Sequence, residues 1–120
     1  STHSGNKNEN EKYKKLAPVI SYMENNYNRY ISLEEMAEII GVTSYHLCRL
    51  FKETFHISPF KYLARLRLQK AKELLVEAPD MNIKTVSEKV GYNDTSYFCT
   101  IFKAQEGMSP TEFKKIHRSK

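Results

Sequence analysis

Apolar residues recur at three- and four-residue intervals along most of this chain, and no stretch alternates with a period of two. That pattern belongs to helices buried along one face, so the chain is expected to be all-α. The first stripe, Leu16, Val19, Ile20, Met23 and Tyr27, predicts a helix with Pro18 in its opening turn, where a missing N–H is harmless. Ser32 followed by Glu35 spells a capping box, with each side chain satisfying a backbone N–H at the helix start. A second helix is therefore predicted from Leu33 to about Ile40, stopped by Gly41. Thr43 or Ser44 can cap a third helix, whose Leu47, Leu50, Phe51 and Phe55 again hold helical spacing. Ser58-Pro59 opens a fourth of about 18 residues, roughly 27 Å long at about 1.5 Å rise per residue. In it Tyr62, Leu63, Leu66, Ala71, Leu74 and Leu75 sit among Arg65, Arg67, Lys70 and Lys72, until Pro79 ends the pattern. Asn82 can cap a fifth helix, Ile83 to Val90, which Gly91 stops. Asp94 or Thr95 caps a sixth to about Gln105, and Ser109-Pro110 opens a short seventh carrying Phe113 and Ile116.

An internal repeat emerges when the glycines are aligned. Leu33, Met36, Ala37, Glu38, Ile40 and Gly41 correspond to Ile83, Val86, Ser87, Glu88, Val90 and Gly91, 50 residues on. After one inserted residue, Leu47, Cys48, Leu50, Phe51, Lys52, Ile57, Ser58 and Pro59 correspond to Phe98, Cys99, Ile101, Phe102, Lys103, Met108, Ser109 and Pro110. Each copy has the outline of a helix-turn-helix, in which Gly supplies the positive φ of the turn. The expected organisation is two such subdomains, 13–57 and 79–120, flanking a linker helix at 58–78. Residues 1–12 hold no aliphatic side chain and are expected to be a disordered linker or an expression remnant.

Burial of one stripe in each second helix leaves the opposite face outside. In the first copy that face carries Ser44, Tyr45, Cys48, Arg49 and Lys52; in the second, Thr95, Ser96, Cys99, Thr100 and Lys103. Arg can read guanine bidentately, and Ser and Thr can bond base edges or phosphates, so both faces suit a DNA groove. Helices reading successive major-groove faces lie about 34 Å apart, a separation that a rod of roughly 27 Å plus its flanking turns can set. A direct repeat in one chain implies an asymmetric site.

Composition changes this picture little. The chain has 120 residues, with 19 Lys+Arg against 14 Asp+Glu and a net charge of +5. This permits an anionic partner without requiring one. No apolar run approaches the roughly 18 residues of a membrane span, so no membrane partner is expected, and two cysteines without neighbouring ligands argue for a reducing cytoplasm. His3, His46, His56 and His117 are scattered, and no nucleotide loop, nucleophile elbow or paired acidic site occurs. No cofactor, no metal and no enzymatic activity are expected.

From Ile31 to Phe113 the sequence resembles the DNA-binding domain of the AraC/XylS family of bacterial transcription regulators. The likeness is carried by SLEEMAEIIGVTSYHLCRLFKETFHISPFKYL, by RLRLQKAKELL and by IKTVSEKVGYNDTSYFCTIFKAQEGMSPTEF. It implies two helix-turn-helix subdomains joined by a linker helix, with double-stranded promoter DNA as the partner. RNA polymerase and a sensor or receiver domain absent from this chain are further expected partners. By position, the family's base-facing sites fall on Tyr45, Cys48 and Arg49 in the first copy and on Thr95, Ser96 and Thr100 in the second. Ser44, His46, Lys52, Lys103, Lys114 and Lys115, with backbone N–H groups near Phe60 and Ile83, are expected to meet phosphate. Arg67 resembles the family's linker-helix arginine and is expected to be structural. Many members carry Arg at the position of Thr100 and a longer polar residue at that of Cys48, so Arg49 is expected to dominate base discrimination. The competing reading is a helical protein-interaction module that has kept the fold without the DNA contacts.

Overall fold

A computed structural model of the chain describes residues 2–118, with the side chains of residues 1–9, His3 among them, and residues 119 and 120 outside that description. The described residues form seven helices and no strand: α1 (Thr2–Asn26), α2 (Leu33–Ile39), α3 (Ser44–Phe55), α4 (Pro59–Glu77), α5 (Ile83–Lys89), α6 (Thr95–Glu106) and α7 (Pro110–Arg118). The chain divides into two compact units, with the division inside α4 between Ala64 and Arg65; the loop Tyr27–Tyr30 belongs to the second.

Local chemistry explains where the helices begin. Ser32 and Glu35 close the expected capping box on α2, at 3.0 and 3.1 Å. Thr43, rather than Ser44, caps α3 by accepting from the His46 N–H, and Asp94, rather than Thr95, caps α6 by accepting from Tyr97. Asn82 does the same for α5, and Ser58 Oγ accepts from the Lys61 N–H in the first turn of α4. At α7, Ser109 and Glu112 form a second capping box, at 3.1 and 2.9 Å.

α1 departs from the expectation. It starts at Thr2, so a helix occupies residues expected to be disordered, and Pro18 lies in its interior rather than its first turn. The proline, which removes the helical donor to the Lys14 carbonyl, sits on an exposed face of the helix together with Lys14. The extension left no mark in the apolar pattern because a stretch without aliphatic side chains cannot draw a stripe.

In the first unit α1 packs on α2 and α3, burying Leu16, Val19, Met23, Met36, Leu47 and Phe51. Phe51, Phe55 and Tyr62 form an aromatic cluster with centroids 4.9–5.7 Å apart, and Tyr13 meets Phe55 edge-on at 6.0 Å. The second unit is built around Leu68, Ala71, Leu75, Val86, Val90, Tyr92, Phe98 and Phe102, with Phe113 of α7 partly buried against them.

The two helix–turn–helix corners are chemically alike. At each, the glycine N–H donates to a carbonyl of the preceding helix (Gly41 to Glu38, Gly91 to Glu88), and the next residue donates one position earlier (Val42 to Ala37, Tyr92 to Ser87). This is a Schellman motif, and it requires the left-handed φ seen at Gly41 (66°) and Gly91 (100°). Ser87, buried where the first copy has Ala37, adds a hydroxyl donation to the Tyr92 carbonyl at 3.0 Å.

Candidate nucleic-acid interface

The second helix of each copy, α3 or α6, fixes its orientation through a buried stripe: Leu47, Leu50 and Phe51 in α3, Phe98 and Phe102 in α6. What these stripes leave outside is polar. On α3, Tyr45, Arg49 and Lys52 are exposed, while Ser44, His46 and Cys48 are half-buried. On α6, Ser96, Thr100 and Lys103 are exposed, and Thr95 and Cys99 are half-buried. Within each helix the expected base-facing residues therefore share one accessible face.

The two faces differ in chemistry. Arg49 holds its Nε 3.7 Å from Glu53 Oε2, one turn away, and its side chain is more than half exposed. Its counterpart Thr100 donates its hydroxyl back to the Ser96 carbonyl at 3.0 Å, leaving only lone pairs for an outside donor. The first face thus offers a cationic fork and the second a set of short hydroxyls. Tyr97, whose counterpart is the half-buried His46, stands 56% exposed at the start of α6 with its ring edge-on to Tyr92 at 6.0 Å. The sequence reading left Tyr97 out of the interface; its signal was an aromatic residue immediately before the buried stripe.

The flanking cations are not equivalent. Lys115 is exposed, whereas Lys114 donates its ammonium to the Met81 carbonyl at 2.9 Å, tying α7 to the loop before α5. Glu112 lies near Lys103 and Lys115, and hydrogen bonding from the Ser109 backbone and side chain, aided by these lysines, holds its carboxyl below the usual carboxylate range. Burial pushes the Cys99 thiol up from its ordinary value.

Arg67 is structural. Its Nε donates to the Tyr27 carbonyl at 2.8 Å and an Nη to the Arg29 carbonyl at 2.9 Å, while its guanidinium lies 5.3 Å from the Tyr92 ring centroid. Burial raises the Tyr92 phenol, with Arg67 pulling partly in the other direction. Among the described residues no His, Cys, Asp and Glu side chains gather as a metal site, and no helix is long and apolar enough to cross a membrane.

A family model described as a helix-turn-helix domain matches residues 36–116, which spans both copies and the helix between them. An AraC-type DNA-binding protein of Chromobacterium violaceum, 28% identical, superposes with a TM-score of 0.82 over 87% of this chain and 92% of its own. The chain belongs to the AraC/XylS family of DNA-binding domains. The C-terminal domain of AraT, a response regulator from Geobacillus stearothermophilus, is 30% identical with a TM-score of 0.79, covering 85% of this chain and 84% of that one. The lactose operon transcription activator of Staphylococcus xylosus is 30% identical over 96 residues, 80% of this chain but 34% of its own length. The chain thus spans about a third of the length of curated relatives such as these. Lys12 and Tyr13 of α1, which lie before the matched residues, reach α3, Lys12 through Glu53 at 3.3 Å and Tyr13 through Phe55 at 6.0 Å.

Proposed function

We propose that this AraC/XylS-type domain reads double-stranded promoter DNA by inserting α3 and α6 into successive major-groove faces of an asymmetric site. The observation that carries the reading is the pair of equivalent helices, each capped at its start, anchored by a buried stripe and polar on its accessible face. Tyr45, Cys48 and Arg49 then meet bases from α3, and Thr95, Ser96 and Thr100 from α6, with Tyr97 added beside them. Ser44, His46, Lys52, Lys103 and Lys115 face phosphates; Lys114, already bonded to Met81, supports the second unit instead. In this reading the helix-turn-helix subdomains lie at 13–57 and 79–120 and the linker helix at 58–78.

Transcription regulation in the cytoplasm follows from the same reading, with a sensor or receiver domain supplying the signal and RNA polymerase receiving it. The response-regulator origin of the similar AraT domain supports a signal-receiving partner. A binding role rather than catalysis is supported by relatives that are regulators. One relative, AdaA of Bacillus subtilis, 28% identical over 100 residues, is a bifunctional activator and DNA repair enzyme, but this chain spans 47% of it.

A gel-shift titration with promoter fragments at two salt concentrations tests the proposal. Binding should weaken as salt rises, by about 0.9 in log–log slope for each phosphate neutralised. Salt-insensitive binding, or none to any fragment, would turn the assignment toward a protein-interaction module.

A further inference from the structure

Glu53 is out of place on a helix meant to meet polyanionic DNA. It is exposed on the flank of the α3 face, one turn from Arg49, where its charge repels phosphate. The repeat supplies the comparison that gives this residue meaning. Arg49 and Glu53 of the first copy correspond to Thr100 and Ala104 of the second, so the acid is present where the arginine is present and missing where it is missing. The geometry agrees: Glu53 Oε2 lies 3.7 Å from Arg49 Nε, and its other oxygen lies 3.3 Å from the Lys12 ammonium of α1. One carboxylate is thus held by a cation from a neighbouring helix while its free side faces the arginine.

We propose that Glu53 is a positioning residue for base reading, holding the Arg49 guanidinium by its inner nitrogen so that the two terminal nitrogens present a fixed fork to guanine. This rests on the assignment of Arg49 as a base-reading residue. A guanidinium on a four-bond stem has many rotamers, and fixing it before binding lowers the ordering entropy that the specific complex must overcome. The same carboxylate repels every phosphate irrespective of sequence, so it weakens binding to any DNA while sharpening choice among DNAs. Arg49 left alone would slide onto the nearest phosphate, which any sequence offers. Lys12 limits the repulsion and orients the carboxylate.

The opposed effects make the test specific. Equilibrium binding of the full chain is measured to a duplex selected from a random library and to random duplex, for wild type, Arg49→Ala, Glu53→Gln and the double variant. Glu53→Gln is expected to tighten binding to random duplex and to lower discrimination, the ratio of the two affinities, by roughly two- to threefold, the size expected of an exposed helical ion pair. In the Arg49→Ala background the same change should still tighten random binding but leave discrimination unaltered. A purely structural Glu53 would instead weaken both affinities together and lower the melting temperature. Discrimination unchanged by Glu53→Gln while Arg49→Ala abolishes it, or an equal fall with and without Arg49, overturns the positioning role alone. Discrimination indifferent to Arg49→Ala overturns the base-reading assignment and this inference with it.

Discussion

The two turn glycines occupy equivalent places yet carry different loads. Gly41 has φ 66° and nothing within 4 Å of the position a Cβ would take; Gly91 has φ 100°, and its Cβ would lie 2.5 Å from the Tyr27 carbonyl oxygen and 3.0 Å from Arg67 Nε. Gly41→Ala is therefore expected to cost about 1 kcal/mol, the strain of a left-handed alanine. Gly91→Ala adds a collision with a backbone atom that cannot rotate away and should cost about 2–5 kcal/mol, read as a lower urea midpoint. Equal losses would show that the loop yields freely. The turns themselves were legible in the sequence, because a Gly after a helical stripe needs only local geometry. The Tyr27 approach was not, since it joins residues far apart in the chain through Arg67. His56 presents the converse case: it holds φ 64° at the end of α3, where the second copy has Gly107 at 82°. His56→Gly should raise stability by about 0.5–1 kcal/mol, and thermal melts at neutral pH check it.

At the scale of helices, capping explains both what could be read in advance and what could not. The starts of α2, α5 and α7 were legible because Ser32, Asn82 and Ser109 act within three residues of themselves. The early start of α1 was not, since residues 1–12 carry no aliphatic side chain to mark a face in the sequence. The capping box of α7 also makes stability depend on pH. Glu112 titrates below its ordinary value because Ser109 hydrogen-bonds the ionised carboxylate, so folding favours the charged form. Its contribution is present above the unfolded-state pKa and fades as pH falls through the lowered folded-state value. Wild type should thus lose stability on acidification below about pH 4.5, the ordinary value of a glutamate carboxyl, more steeply than Glu112→Gln does. Parallel acid limbs in urea titrations would mean that the box contributes nothing measurable. Of the residues the sequence placed opposite the buried stripes of α3 and α6, Tyr45, Arg49, Lys52, Ser96, Thr100 and Lys103 are exposed, while Ser44, Cys48, Thr95 and Cys99 are half-buried. The side-chain bonds that distinguish the two faces, Thr100 back to Ser96 and Lys114 to Met81, depend on rotamers and on packing between elements, and no spacing rule encodes them.

For the whole chain, a net charge of +5 is small against the phosphate density of DNA, and Glu53 and Glu112 stand among the cations proposed to meet it. Affinity should then depend on contacts placed by two similar but inequivalent helices more than on bulk attraction. A direct repeat has no two-fold axis, so its site should be a pair of unlike halves in the same orientation, unlike the palindrome a symmetric dimer reads. Starting from a duplex the protein binds, inverting one half in place misaligns several base contacts, each worth about 1–3 kcal/mol. Affinity should fall about a hundredfold or more, toward that of a duplex with only the other half. A symmetric dimer would respond oppositely, gaining affinity whenever inversion creates a palindrome. The halves should also differ in weight. Arg49 offers a charged fork where Thr100 offers lone pairs, so scrambling the half contacted by α3, identified by protection lost in Arg49→Ala, should cost more than scrambling the other. Equal losses from the two halves would mean that Thr95, Ser96, Tyr97 and Thr100 together read as much sequence as one arginine does.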